Sequence, residues 1–153
     1  MEHKNIFLKI ISIILLIGGI IYLIIAIGAL GADALAKLVP EIGTELGPKA
    51  GVLLIAGVLM LIAGIIEIVA GRTGLKASKD PSKAKACVVL GIIMMIPSVV
   101  AFALSIVLLT FLVAQSPTPV HSFYYGPAIG SLIIGVALPL LYIFAAKKAK
   151  PVA

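Results

Sequence analysis

Apolar residues along this chain gather into four long runs that are separated by shorter polar stretches. The runs cover residues 6–30, 50–70, 87–114 and 128–146. A helix needs about 20 apolar residues to cross the hydrocarbon core of a bilayer. Since that core offers no partner to free backbone N–H and C=O groups, uninterrupted runs of this length predict helices. The pattern therefore predicts an all-α membrane protein in which residues 1–153 form a single transmembrane domain with four spans.

The composition agrees with a chain that is dissolved in lipid. Hydrophobic residues make up 62% of the sequence and charged residues 12%, whereas a soluble domain carries about 25% charged residues. The mean hydropathy is +1.28, and a soluble domain of this size has too little interior to hide so much apolar surface. The net charge of +6 would also suit nucleic acid. Because the lysines flank the apolar runs, we expect the bilayer and no nucleic acid as a partner.

The basic residues are distributed unevenly along the chain. Ten of the twelve Lys and Arg residues lie near the two ends or in the polar segment 71–86. Basic residues mark the cytoplasmic side of membrane proteins, so this distribution predicts a multi-pass protein of the cell membrane with both termini and a basic loop at 71–86 in the cytoplasm. These residues would anchor the topology and contact anionic lipid headgroups; a dedicated docking site is the alternative. Besides Lys4 and Lys9 near the start of the chain, they are Arg72, Lys76, Lys79, Lys83, Lys85, Lys147, Lys148 and Lys150.

The first run admits a second interpretation, because signal peptides also begin with charged residues and continue with apolar ones. Ala29 and Gly31 supply the small residues of a cleavage site. The apolar stretch is longer than the roughly 7–15 residues that are usual in signal peptides. We therefore expect an uncleaved first span.

The connection between the first two runs keeps apolar residues at helical spacing. Leu35, Leu38, Ile42 and Leu46 follow this spacing, and Pro40 interrupts it. An amphipathic helix of this kind lies flat at the membrane interface. The pattern predicts a short, broken amphipathic helix in the first outer loop.

Small residues recur every seven positions in three of the four runs. Lipid tails are as apolar as leucine, so helices in a bilayer associate where small side chains let their backbones approach closely. A seven-residue repeat keeps one face of each helix against its neighbour and gives a left-handed bundle with crossing angles of about +20°. The sequence therefore predicts a left-handed four-helix bundle packed along a small-residue seam. This seam consists of Ser12, Gly19, Ala26, Gly57, Gly64, Gly71, Gly91, Ser98 and Ser105.

The two halves of the chain correspond when one is shifted by 79 positions. Pro40 then lies over Pro119, and the segment GPKAG at 47–51 lies over GPAIG at 126–130. Matches in the polar connections carry more weight than matches among isoleucines and leucines, which arise easily by chance. The correspondence predicts two tandem two-helix hairpins with the same orientation in the membrane.

Glu67 is the one acidic residue well inside an apolar run. It follows Gly64 by three positions, so it lies on the same helix face as the seam. Ionisable residues inside a membrane are candidates for function, and coupling to protons or cations or contact with a polar substrate would suit a carboxylate. The alternative is a structural role, because Glu67 is only about one turn from the predicted cytoplasmic end of its run and at a depth similar to that of Lys9.

Pro97 and Pro139 interrupt the third and fourth runs at similar predicted depths. Proline lacks the backbone N–H group, so each leaves a carbonyl one turn earlier without its helical partner, at Ile93 and Gly135. Two kinks at matching depth would form a hinge or widen a cavity. The alternative is that they only shape helix packing, as many prolines in membrane helices do.

Catalytic and metal-binding patterns are missing from the sequence. It contains one cysteine, two histidines and six acidic residues, and it has no HExxH, GxSxG, P-loop or CxxC motif. We therefore expect no enzymatic activity and no cofactor or metal site.

The segment GRTGLKASKDPSKAKACVVLG at 71–91 combines a Gly-x-x-Gly turn, a Lys-rich stretch with a proline, and an apolar run with an early glycine. In this it resembles small bacterial four-span (tetraspan) proteins of uncharacterised function. The order of spans also resembles that of MARVEL-type tetraspans, which is a likeness of topology only. The resemblance implies a four-helix membrane fold and no particular activity. We expect a non-enzymatic structural, interaction or accessory protein that contacts copies of itself or other membrane proteins.

The alternative function is a small homo-oligomeric transporter or channel component that uses Glu67 and the kinks at Pro97 and Pro139. Such a protein should have a polar cavity that reaches the middle of the bilayer between its helices, whereas a structural protein should have a dry, closed core. Small multidrug transporters also have four spans. They typically carry a membrane-embedded glutamate in the first span, and the first span here contains none.

Overall fold

The computed structural model describes residues 5–39, 49–115 and 125–148, and nearly all of these residues are helical. The described residues contain no β-strand, so the prediction of an all-helical fold is confirmed. The long helices are α1 (Ile6–Leu38), α2 (Lys49–Ala77), α3 (Ala84–Gln115) and α4 (Tyr125–Lys148), and one turn of 3-10 helix (Pro81–Lys83) precedes α3.

Three helices in the described part of the chain are long and apolar enough to cross a membrane. The segments that meet this condition are Ile6–Ala32, Leu54–Ala77 and Pro81–Leu104. Isoleucine and valine side chains are exposed along all three. In water this surface would be costly, whereas lipid tails solvate it without a penalty.

The helices pair as two antiparallel hairpins. α1 packs along α2, and α3 packs along α4. The two hairpins meet mainly through α2 and α3, and α1 has a smaller contact with α4. In this arrangement a cleft remains between the two hairpins.

Glycines allow the backbones of α1 and α2 to touch. A Cβ atom added to Gly64 would lie 2.8 Å from the carbonyl oxygen of Gly19, and one added to Gly19 would lie 2.8 Å from the carbonyl oxygen of Gly64. Two turns away, a Cβ atom on Gly71 would lie 2.7 Å from the carbonyl oxygen of Ser12. These contacts follow the seven-residue spacing of the predicted seam, and Ala26, one heptad beyond Gly19, is fully buried.

At the remaining seam positions the distance between the packed helices varies more. A Cβ atom on Gly57 would meet the side chain of Leu30 at 3.0 Å, so this part of the contact between α1 and α2 is looser. Between α3 and α4, Gly91 lies directly against the side chain of Ile143. A Cβ atom on Gly135 would lie 2.7 Å from the hydroxyl oxygen of Ser98. The side chain of Ser105 lies outside the described residues.

The two helices of the second hairpin pack in a different register from the two helices of the first. Under the 79-residue shift, Gly91 corresponds to Ser12 and Ile143 corresponds to Gly64. Gly91 does contact Ile143, but Ser12 contacts Gly71 and not Gly64. The register of α4 on α3 is therefore shifted by about one heptad relative to the register of α2 on α1.

The buried core lies where the start of α1, the end of α2, the start of α3 and the end of α4 come together, and we call this part of the molecule the closed end. Asn5 begins α1 there: its Oδ1 accepts a hydrogen bond from the N–H of Leu8 (3.0 Å), and its Nδ2 donates to the carbonyl of Ala145 (3.1 Å). The core of the closed end consists of Leu8, Ile11, Leu15, Ala70, Ala77, Cys87, Met94, Tyr142, Ala145 and Ala146.

The predicted basic loop at 71–86 is wrong as a description of the backbone. α2 continues to Ala77 and α3 begins at Ala84, so only a tight turn separates them. The sequence signals a break because it contains glycines at 71 and 74, which are poor helix formers. Here Gly71 and Gly74 lie against other helices, and this packing keeps the helix intact.

The predicted amphipathic helix of the first outer loop is also changed. α1 runs without interruption to Leu38, so Leu35 and Leu38 belong to α1 and do not begin a separate element. Residues 40–48, which would hold the rest of that helix, lie outside the described residues.

Local polar contacts hold the turn between α2 and α3. Asp80 Oδ1 accepts hydrogen bonds from the backbone N–H of Ser82 (3.1 Å) and from its hydroxyl (2.7 Å). The Nζ atom of Lys83 lies 3.8 Å from the same carboxylate. The hydrogen bonds from Ser82, assisted by the charge of Lys83, lower the pKa of Asp80. Pro81 fits the first position of the 3-10 turn, where no backbone N–H is needed.

Candidate functional site

A cleft lies between the two hairpins. Its volume is about 460 Å³, which falls within the range of roughly 300–1,000 Å³ that ligand pockets occupy. α2 and α3 supply most of its lining. It extends from Glu67 and Met94, next to the closed end, to Ile55 and Val107 farther along the two helices. At 1.5 Å per residue, this is a length of about 18 Å along α2.

Glu67 is half-buried in this cleft. A Cβ atom added to Gly18 would lie 2.9 Å from Glu67 Oε2, so the missing side chain of Gly18 makes room for the carboxylate. Tyr22 lies one turn after Gly18 on the same face of α1 and lines the cleft together with Glu67. Among the described residues, none forms a hydrogen bond or an ion pair with the Glu67 carboxylate.

The length of α2 changes the depth expected for Glu67. The helix continues about 15 Å beyond Glu67 before it ends at Ala77, so Glu67 lies near the middle of the candidate span Leu54–Ala77. Lys9 is not at the same depth, because Glu67 lies against Gly18, about 13 Å farther along α1. Glu67 is thus farther from the end of its helix than the single turn expected from the sequence.

The two prolines occupy different surroundings. Pro97 lies inside α3 and lines the cleft. Pro139 lies inside α4 and is buried, and its carbonyl oxygen would lie 3.4 Å from a Cβ atom on Gly91. The structure thus brings Glu67 and Pro97 to one cleft, whereas Pro139 belongs to the contact between α3 and α4.

The predicted headgroup-contacting residues surround the closed end. They lie at the end of α2, in the turn, at the start of α3 and at the end of α4, and those that the structure describes are exposed. The Nζ atom of Lys148 lies 4.5 Å from the centre of the Phe144 ring, which stabilises the ammonium group near the helix end. Lys150 lies outside the described residues.

Hydrogen bonds fix the polar groups inside the closed end. The hydroxyl of Tyr142 donates to the carbonyl of Ala70 (2.6 Å) and so links α4 to α2. The hydroxyl of Ser12 donates to the carbonyl of Leu8 (2.6 Å). Cys87, the one cysteine of the chain, is fully buried in the same core. These contacts make the closed end a tight junction, in contrast to the cleft.

The sequence alone does not identify Gly18, Tyr22 or Met94 as part of a site. The signal for the first two was present, because Gly18 and Tyr22 are four residues apart and therefore share a helix face. Their relation to Glu67 depends on the register between α1 and α2, which the sequence alone suggests only through the seam glycines.

The described residues contain no group of three or more His, Cys, Asp or Glu side chains that could hold a metal ion. Comparison with protein-family models, with curated proteins and with solved structures gives no match for this chain. Proposals about function therefore rest on the geometry of the chain itself.

Proposed function

We propose that this chain is an integral membrane protein that binds a small ligand in the cleft between its hairpins and works as a small transporter component. The observation that carries the proposal is the position of the Glu67 carboxylate, which lines the cleft near the middle of the candidate span Leu54–Ala77. An ionisable group is costly inside a membrane, and such groups typically face a cavity where they serve ions or substrates. The cleft thus favours the function that the sequence alone places second.

In this proposal α4 is a fourth span, and the four helices form one left-handed bundle in the cell membrane. The exposed basic residues around the closed end support an orientation with both termini and the turn at 78–83 in the cytoplasm. They would also contact anionic lipid headgroups of the inner leaflet. The heptad spacing of the contacts between α1 and α2 supports the left-handed crossing. The cleft then extends from mid-membrane toward the outer side.

Pro97 supplies a means of changing the width of the cleft. A carrier has to expose its site to the two sides of the membrane in turn. Because Pro97 has no N–H group, the carbonyl of Ile93 lacks its helical partner, and α3 bends more easily here than elsewhere. Bending at Pro97 would move the outer part of α3 while the closed end stays packed.

A non-enzymatic structural, interaction or accessory role is the second candidate. It is favoured by the packing of the closed end, where all four helices contribute buried side chains, and by the glycine contacts that hold α1 on α2. In that case the cleft would receive a helix of a further copy or of another membrane protein. Neither candidate requires a cofactor.

The two candidates differ in whether water reaches the cleft. We would replace Cys87 by Ser and introduce a single cysteine either by Ala101→Cys, in the cleft, or by Ile62→Cys. Ile62 belongs to the same hairpin as the cleft wall, is 45% exposed and does not line the cleft, so it serves as the control that faces lipid. The reagent is a charged, membrane-impermeant methanethiosulfonate, which reacts only with thiolates in contact with water.

We expect the cysteine of Ala101→Cys to react when the reagent is added to intact cells and that of Ile62→Cys to remain unmodified. If neither reacts, the cleft is dry and the transporter proposal fails in favour of the structural one. A reaction that Leu59→Trp slows would support the proposal further, because the larger side chain narrows the cleft.

A further inference from the structure

We infer that the ligand of the cleft is a lipophilic organic cation, that is, a molecule with one delocalised positive charge and a bulky apolar body. This inference rests on the proposed function and names the ligand class of the same site. It follows from three properties of the cleft: its charge, its shortage of oxygen ligands and its apolar, adaptable walls.

The charge of the cleft favours a cation. Among the described residues that line it, Glu67 is the one charged side chain. A carboxylate among apolar groups carries a desolvation cost that a bound cation offsets and that a neutral ligand leaves in place. The basic residue nearest in sequence, Arg72, is exposed near the closed end and does not line the cleft. An anion would be repelled by the carboxylate.

A small inorganic cation fits the cleft poorly. Hard metal cations surround themselves with about six oxygen ligands. Besides the Glu67 carboxylate, the side chains of the described lining residues offer only the hydroxyls of Tyr22 and Ser98. Together with the two carboxylate oxygens, these side chains provide four oxygen atoms, which is fewer than such a cation needs. A cation that carries its own apolar groups is weakly hydrated and does not need these ligands.

The walls of the cleft suit a bulky apolar body. Met60 and Met94 line it, and methionine side chains adapt to ligands of different shape because they are unbranched and polarisable. Tyr22 adds an aromatic face next to the carboxylate, where a cation gains a further electrostatic attraction. Glu67 and Tyr22 together would hold the charge while the aliphatic residues farther along the cleft hold the body.

The test compares two ions of nearly the same shape and opposite charge. Tetraphenylphosphonium and tetraphenylborate would each be titrated into the purified full-length protein in lipid nanodiscs, with empty nanodiscs as the background, and binding would be measured by isothermal titration calorimetry. We expect tetraphenylphosphonium to bind more tightly than tetraphenylborate. Glu67→Gln should weaken binding of tetraphenylphosphonium by about tenfold or more, since it removes a charged partner. Leu59→Trp should weaken it by narrowing the cleft.

Asp80→Asn is the matched control, because it removes the same charge from the turn outside the cleft. It should leave the affinity unchanged. Shielding of the buried Cys87 thiol from a maleimide dye verifies that each variant is folded. If tetraphenylborate binds as tightly as tetraphenylphosphonium, or if Glu67→Gln and Asp80→Asn behave alike, the ligand class is wrong while a binding cleft remains. If neither ion binds and the cysteine of Ala101→Cys is unreactive, the proposed function fails as well.

Discussion

The close contact between α1 and α2 determines how much stability the substitution Gly64→Ala should remove. The added Cβ atom would lie 2.8 Å from the carbonyl oxygen of Gly19, whereas ordinary Cβ contacts begin at 3.4 Å. The helices must therefore separate by about 0.6 Å at this point, because a backbone atom cannot rotate away as a side chain can. Overpacking of this kind costs about 1–3 kcal/mol.

Gly28→Ala provides the control for this substitution. Both glycines lie inside long helices, so both variants gain the same intrinsic preference of alanine for the helix. A Cβ atom on Gly28 would meet no other atom within 4 Å, so this variant introduces no clash. The difference in stability between the two variants therefore reports the glycine contact itself.

The assay uses the single cysteine of the chain. Cys87 is fully buried, so a thiol-reactive dye that fluoresces on reaction reports unfolding as the sample is heated. For chains of this size, 1 kcal/mol corresponds to about 2–4 °C in the unfolding temperature. We expect Gly64→Ala to unfold about 2–12 °C below Gly28→Ala. If the two variants unfold at the same temperature, the glycine contact does not hold the hairpin and the reasoning is refuted.

Three further predictions concern the closed end and its orientation. Tyr142→Phe removes the hydrogen bond to the carbonyl of Ala70 and should lower stability by about 1 kcal/mol in the same thermal assay. Because Ser82 lowers the pKa of Asp80, the turn should keep its hydrogen bonds at neutral pH and lose them as the pH falls through that lowered value, which hydrogen exchange at the Ser82 amide would detect. A cysteine introduced by Lys79→Cys should react with an impermeant reagent in inverted vesicles and not in intact cells; the opposite result would reverse the proposed topology.

The sequence predicts the helices and part of their packing for clear physical reasons. Apolar runs of this length can satisfy their backbone only as helices, and the structure confirms an all-helical fold in the described residues. The seven-residue spacing of small residues also anticipates the contact of Gly19 with Gly64, because both positions must face a neighbouring backbone. These inferences need only local information.

The features that the sequence does not predict depend on contacts between distant segments. The glycines at 71 and 74 favour a break in the helix locally, but their packing against α1 and α4 overrides that preference. The distance of Glu67 from the end of its helix follows from this extension of α2. The cleft requires the register of α1 on α2 and the separation of α2 from α3, which no single segment encodes.

The hydrogen bond from Tyr142 to the carbonyl of Ala70 joins α4 to α2, and this has a consequence for the order of assembly during biosynthesis. The contacts between α1 and α2 can form as soon as the first half of the chain has been inserted, because they involve only that half. The junction that unites all four helices is complete only after α4 has been synthesised. In a ribosome-bound chain that lacks α4, α1 and α2 would therefore already be packed together, whereas α3 would lack most of its contacts. The packing of α4 completes the assembly.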